Sequence, residues 1–208
     1  MNKEQMLKSI ELYNSQFGEI DDKILKAIGK IDRKNFMPED VQKNAYEDTA
    51  IPIGHNQTIS QPSTVARMLS LLDIKPKDKI LEIGTGSAWN AALLATLAKN
   101  GKLTTLEIVP ELAKKAENKI KKLNIKNIEV KTEDFRKIKN KFDKIIFTAG
   151  IQKDQKQIVE NTAKKNLKEN GILICPYKYG PLIIIKKQKG RLIKEYTKEE
   201  YVFVPLVI

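Results

Sequence analysis

From Lys79 onwards, short apolar runs alternate with longer amphipathic segments. Residues 79–83, 102–107, 128–130 and 144–148 are brief, rich in Ile, Leu and Val, and bounded by turn residues, which predicts β-strands. The last is nearly continuous in apolar character, the pattern of a strand buried on both faces in a parallel sheet. Between and after them, residues 88–98, 110–123 and 152–167 repeat their apolar positions at helical spacing. Strand, helix, strand, helix at this spacing predicts an α/β fold with a doubly wound, mostly parallel sheet. The tail differs. Residues 172–174, 182–185 and 201–204 are apolar runs separated by turns at Tyr179-Gly180-Pro181 and Lys189-Gly190-Arg191, with no helix between them, so the sheet is expected to finish in antiparallel strands.

Ahead of this core, residues 3–46 carry helical periodicity (Met6, Ile10 and Tyr13; Ile24, Leu25 and Ile28) and predict two or three small helices. Residues 46–62 hold Asp48, Pro52, Gly54, Asn56, Ser60 and Pro62, too many breakers for a regular element, and read as a structured loop. Residues 64–72 follow as a helix. We therefore expect one domain over 1–208, with an N-terminal helical cap and loop at 1–62 and an α/β core at 63–208. There is no internal repeat.

Composition narrows the options. The 208 residues include 41% hydrophobic and 31% charged positions, an ordinary globular make-up. Thirty-eight Lys and Arg against 26 Asp and Glu give a formal net charge of +12, which would attract nucleic acid, anionic membranes or acidic substrates. Most of it is Lys scattered over helix faces, so a solvated surface is the reading preferred over a nucleic-acid patch. Cys175 is the only cysteine and His55 the only histidine. An intrachain disulfide and a Cys-rich zinc site are thereby excluded, and a His-based triad could be built only around His55. No apolar run approaches membrane-spanning length, and the start of the chain carries no signal-peptide pattern, so a cytoplasmic protein is expected.

The most informative segment is Leu81-Glu82-Ile83-Gly84-Thr85-Gly86-Ser87-Ala88, at the junction of the first core strand and its helix. Glycines here permit a tight turn and close approach of the backbone to a ligand. The next strand ends in Glu107, where such folds place an acid against ribose hydroxyls, because a carboxylate accepts strong hydrogen bonds from them. Either feature alone could be a plain turn or an exposed acid; together, in α/β context, they point to a nucleoside ligand. A dinucleotide loop would need a small residue where Trp89 stands, which argues against a pyrophosphate cradle. The pattern resembles the donor signature of class I S-adenosylmethionine methyltransferases.

The upstream loop sharpens this. Ala45-Tyr46-Glu47-Asp48, Ile51-Pro52-Ile53-Gly54 and Gln57-Thr58-Ile59-Ser60-Gln61-Pro62, followed by the glycine loop, resemble protein-L-isoaspartate O-methyltransferases in order and spacing. The likeness runs on through residues 142–149, 167–171 and Phe203-Val204-Pro205-Leu206. It implies transfer of a methyl group from S-adenosylmethionine to the free carboxylate of L-isoaspartyl residues in damaged proteins or peptides, by a monomer that meets such substrates transiently and has no specific nucleic-acid or membrane partner. It makes Ser60 the active-site serine. Gln57, Thr58 and Ile59 become part of the wall around the donor's methionine portion, with Glu82, Gly84, Thr85, Gly86 and Ser87 the donor loop. Glu107 becomes the ribose acid, Asp134 and Phe135 the adenine edge, and Pro205 and Leu206, with Ser60, the acceptor side.

Three departures from the family pattern stand out. Its Gly-Ser-Gly-Tyr is Gly86-Ser87-Ala88-Trp89 here, its Gly-Asp-Gly is Glu133-Asp134-Phe135, and its Gly before Gln-Thr-Ile-Ser is Asn56. Asn tolerates a left-handed backbone and so can keep the loop's shape. Trp89 is expected to add bulk beside the donor, and Phe135 to place a ring on the adenine rim. His55 is read as a surface or packing residue rather than a base, Ser60 as a helix N-cap as well as a site residue, and Cys175 as an inert buried thiol. The alternatives are an RNA methyltransferase on the same fold and a catalytically weak homologue that binds donor or isoaspartyl peptide.

Overall fold

Chain reversal around β3 (Lys79–Ile83) creates the crevice that organises the molecule. In the computed structural model, which describes residues 1–207, the cap consists of α1 (Lys3–Asn14), α2 (Asp22–Lys30) and two 3-10 turns (Arg33–Phe36 and Glu39–Asn44). A hairpin of β1 (Ile51–Gly54) and β2 (Gln57–Ile59) leads into α3 (Pro62–Leu72). After β3 come α4 (Trp89–Leu97), β4 (Lys102–Glu107), α5 (Pro110–Lys122), β5 (Ile128–Thr132) and β6 (Phe142–Phe147). Then follow α6 (Lys156–Asn166), β7 (Leu167–Pro176), β8 (Tyr179–Gly180), β9 (Leu182–Gln188), β10 (Arg191–Tyr196) and β11 (Tyr201–Val202).

The seven-stranded sheet has the order β10-β9-β7-β6-β3-β4-β5, with β3 to β7 parallel and β9 and β10 antiparallel. From β3 the chain winds outward through β4 and β5 on one side, then returns to β6 on the other. Such a switch point leaves a crevice beyond the carboxyl ends of the flanking strands. Side chains alternate across the sheet with period two. Ile80, Leu103, Ile146 and Ile174 join Trp89, Leu93 and the cap residues Met6, Ile10, Ile24 and Ile28 in one apolar cluster. Leu81, Ile83, Leu106, Ile145, Phe147 and Cys175 pack with Val159 and Ala163 of α6 in the other. Cap and sheet thus share one core. Cys175 is fully buried, and burial pushes its thiol well above the ordinary range, which makes it unreactive.

The structure revises the sequence reading in three places. The loop at 46–62 contains the β1/β2 hairpin, turned by His55 and Asn56, both at positive φ (52° and 56°), as a two-residue mirror-image turn requires. One edge of the sheet is β10, which the apolar pattern missed because Arg191–Tyr196 is largely exposed and mixes charged with apolar residues, as edge strands tend to. Residues 201–204 lie outside the main sheet: Tyr201–Val202 pair only with β8, and the chain then crosses towards the crevice.

Candidate active site

The glycine loop after β3 is fixed by backbone geometry. Gly84 (φ 99°), Gly86 (φ 51°) and Ala88 (φ 68°) all occupy left-handed or related conformations, and the N–H groups of Gly84 and Thr85 donate to the Leu106 carbonyl at 2.9 and 3.1 Å. A Cβ on Gly84 would run into the Thr148 hydroxyl, which donates to the Gly84 carbonyl at 2.5 Å. Glycine is therefore required there by both φ and space. Glu107 closes β4 and is nearly buried. Its Oε2 accepts from the Gly86 N–H at 2.8 Å, and its Oε1 accepts from Ile108 and Val109 at 2.9 and 3.1 Å.

Around this loop a pocket runs from Gln57, Thr58, Ile59 and Ser60 past Gly84, Thr85, Gly86 and Ser87 to Glu107, with Thr148, Ala149, Val204 and Val207 on its far side. A smaller cavity continues it along Gly84 and Glu107 to Asp134, Phe135, Leu206 and Val207. On the other side of Thr58, Ser60, Thr148 and Val204 opens a cleft of about 580 Å³, flanked by Tyr13, Thr49, Tyr179, Tyr201 and Phe203. Ser60 and Thr58 thus form the partition between an elongated pocket and a wide, open cleft.

Several sequence expectations need correction. Glu82 does not face the pocket: it is fully buried beneath the loop, accepting from Asn90 Nδ2 at 2.7 Å and from Thr105 Oγ1 at 2.5 Å, while Thr105 and Thr85 hydroxyls meet at 2.7 Å. Burial raises its carboxyl to about 7, the two hydrogen bonds opposing and the nearby Glu107 charge assisting. Ser60 is not the helix cap. Gln61 occupies that position without a side-chain bond, and Asp48 caps from a distance, its Oδ1 accepting from the Ser63 N–H at 2.8 Å. Among the described residues no side-chain bond engages the Ser60 hydroxyl, which is left free for a ligand. Leu206 lies at the Asp134 end of the pocket rather than in the cleft, and Pro205 lines neither. The reason is that Gly150 pins the tail, donating to Val204 and accepting from Leu206 at 2.8 Å each, so the chain is drawn over the strand ends.

The two bulky departures from the family pattern each touch an edge of these cavities, Trp89 the pocket and Phe135 its smaller continuation, but bury most of the ring in the core. Trp89 is 1% exposed and its indole N–H donates to the Ile31 carbonyl at 3.1 Å, binding cap to core. Phe135 packs edge-on against Phe147, with centroids 5.4 Å apart, in the second apolar cluster. Asp134 keeps its place at the rim, held by Arg136 at 2.6 Å, whose hydrogen bonds depress the carboxyl below its usual range. His55 sits exposed in the hairpin turn and lines neither cavity. Thr148, missed by the sequence reading, lines both cavities. Its position at the end of a core strand beside the switch point was the available signal. Among the described residues no group of three His, Cys, Asp or Glu could hold a metal ion, and no helix is long and apolar enough to cross a membrane.

A glycine turn after the first core strand, an acid closing the second, and a pocket at the switch point define a class I S-adenosylmethionine-dependent methyltransferase. The family model described as protein-L-isoaspartate(D-aspartate) O-methyltransferase matches residues 1–208. The chain is 36% identical over 197 residues to the protein-L-isoaspartate O-methyltransferase of Fervidobacterium nodosum, covering 92% of this chain and 96% of that one. It is 38% identical over 193 residues to that of Methanococcoides burtonii, covering 90% and 93%. A Plasmodium falciparum chain of the same designation, in complex with S-adenosyl-L-homocysteine, superposes with a TM-score of 0.79 at 25% identity, covering 100% and 99%. A solved protein-L-isoaspartate O-methyltransferase superposes with a TM-score of 0.84 at 24% identity; it supports the fold alone, and this chain spans 65% of its length. The chain belongs to the protein-L-isoaspartate(D-aspartate) O-methyltransferase family.

Proposed function

We propose that the protein methylates the free α-carboxylate of L-isoaspartyl residues at the partition formed by Ser60 and Thr58, taking the methyl group from S-adenosylmethionine held in the elongated pocket. The observation that carries this is the sharing of Ser60, Thr58, Thr148 and Val204 between that pocket and the open cleft, which lets a small donor and a polypeptide acceptor approach from opposite sides. The pocket's residues fit the donor: backbone exposed at Gly84 and Gly86, an acid at Glu107, and a second acid at Asp134.

When bound, the donor supplies a methyl group on a cationic sulfonium, which an anionic acceptor oxygen takes as the carbon–sulfur bond breaks. The protein's part is alignment and exclusion of water. Glu107 is oriented by three backbone N–H groups and retains acceptor capacity with which it would hold the donor's ribose. The acceptor carboxylate, with an unperturbed pKa of roughly 3.3 to 4.3, is ionised at neutral pH, so no base is required. Ser60, with its unengaged hydroxyl, orients that carboxylate without holding it as tightly as a cation would. Methylation converts a poor leaving group into a good one, so a succinimide can re-form and reopen in part to normal aspartate.

The cleft's width suits an extended, exposed polypeptide segment rather than a small molecule. The reading takes the protein as a cytoplasmic monomer with transient substrates and no specific nucleic-acid or membrane partner. Incubation with labelled donor and, separately, an isoaspartyl peptide, its aspartyl twin and bulk RNA tests it. Label on the isoaspartyl peptide alone is the expected result; label on RNA would move the protein to the RNA-modifying class.

A further inference from the structure

Arg33 is fully buried, at 0% exposure, in the turn after α2. Among the described residues no carboxylate lies within ion-pair distance of it, and Asp48 and Glu47 act on it only through longer-range charge. Its guanidinium donates instead to five backbone carbonyls. Nη1 reaches Ala45 at 2.9 Å and Glu47 at 3.2 Å; Nη2 reaches Thr49 at 2.8 Å, Ser60 at 3.1 Å and Ile59 at 3.4 Å. Its Cζ sits 5.5 Å from the centre of the Trp89 ring. Burial lowers the guanidinium to about 10, which leaves it protonated at neutral pH.

A buried cation without a counter-ion is expensive, and well-packed apolar side chains often replace such groups without loss of stability. What an apolar plug could not do is tie the segment before the hairpin, at residues 45–49, to the segment after it, at residues 59–60. Arg33 does so with one rigid, planar fork, whose Cζ lies over the ring of Trp89, the first residue of α4. Trp89 lines the donor pocket and Ser60 lines both cavities. The guanidinium is therefore the shared spacer between the acceptor loop and the donor wall.

We infer that Arg33 is a positioning residue for methyl transfer, acting through Ser60 to set the separation of acceptor carboxylate and donor. This rests on the reading of Ser60 as the acceptor contact. The experiment is a kinetic cycle of Arg33→Lys, Ser60→Ala and the double variant, with donor affinity measured by calorimetry and folding by circular dichroism. Lys keeps the charge but lacks the planar fork. Arg33→Lys should lower kcat by about 10-fold or more, a loss of transition-state alignment, while donor Kd stays within about 3-fold. In the Ser60→Ala background the same change should lower kcat by less than about 3-fold, because residues acting as a unit are not additive.

Multiplicative losses, or a fall in donor affinity that tracks the fall in kcat, would assign Arg33 a purely structural role and overturn the inference. If Arg33→Lys does not fold at the assay temperature, Arg33→Gln, which retains two donors without the charge, takes its place in the cycle. Unfolding of both variants even with saturating donor would likewise overturn it. A wild-type protein that leaves isoaspartyl peptides unlabelled would instead remove the functional reading itself, so the two failures are distinguishable.

Discussion

The Oε2 of Glu107 accepts a hydrogen bond from the Gly86 backbone N–H at 2.8 Å, which makes the acid at the end of β4 and the glycine of the loop after β3 one structural unit. A change at Glu107 therefore acts on the loop as well as on any ligand. Glu107→Ala should weaken S-adenosylmethionine binding by about 1 to 3 kcal/mol and should also lower stability by about 1 to 3 kcal/mol, since three N–H groups lose their acceptor. Calorimetry and thermal unfolding measure the two effects. Donor affinity equal to wild type would contradict the ribose assignment.

Ala88 adopts φ 68° at the start of α4, where the family pattern has glycine. A left-handed residue other than glycine costs about 1 to 2 kcal/mol, and the substitution to glycine recovers this while adding unfolded-chain entropy and removing a buried methyl. Ala88→Gly should thus leave stability within about 1 kcal/mol of wild type. Ala88→Val, a branched side chain in a buried left-handed position, should lose about 2 to 4 kcal/mol in urea unfolding.

The Glu82 carboxyl, raised to about 7 in the fold, binds its proton more tightly folded than unfolded, where a Glu titrates near 4.3. Its contribution is fully present below the unfolded value and is lost as pH rises through about 7. Glu82→Gln keeps a neutral group able to bond with Asn90 and Thr105. Relative to wild type, this variant should gain stability between pH 5 and 8, by up to about 3 kcal/mol at the upper end. Parallel curves for the two proteins across that range would show that Glu82 is ionised in the fold.

Methyl transfer is expected to need no base. Ser60→Ala should slow single turnover by about 10 to 1,000-fold, on the order of 1.4 to 4 kcal/mol, through misalignment. His55→Ala should stay within about 3-fold of wild type, since the imidazole lies outside both cavities. With saturating donor, the single-turnover rate should vary little between pH 6 and 8, because the acceptor is ionised throughout. An inactive His55→Ala protein that still binds both substrates would refute this mechanism.

Local sequence was enough to place the glycine loop, the strand-end acid at Glu107 and the Gln57-Thr58-Ile59-Ser60 segment, because each depends on residues within a few positions of one another. The parallel strands were equally legible, since burial on both faces imposes a continuous apolar run on β6. Other features were decided by contacts distant in sequence. Asp48 replaces Ser60 as the cap of α3 across 15 positions, and Arg33 reaches Ser60 across 27. Phe135 and Trp89 read as intrusions on a linear motif, yet each ring turns into an apolar cluster supplied by other elements. Nor could period alone place β10, whose exposed residues show no apolar rhythm, or the tail, whose apolar run at 201–204 reads as a strand of the main sheet although its pairing with β8 and its hydrogen bonds to Gly150 draw it across the crevice. Side-chain type and short spacing thus determined the chemistry available to this chain. The direction in which each group points was settled only when the cap, hairpin and tail closed around the switch point, where burial and backbone hydrogen bonding leave each side chain one place to go.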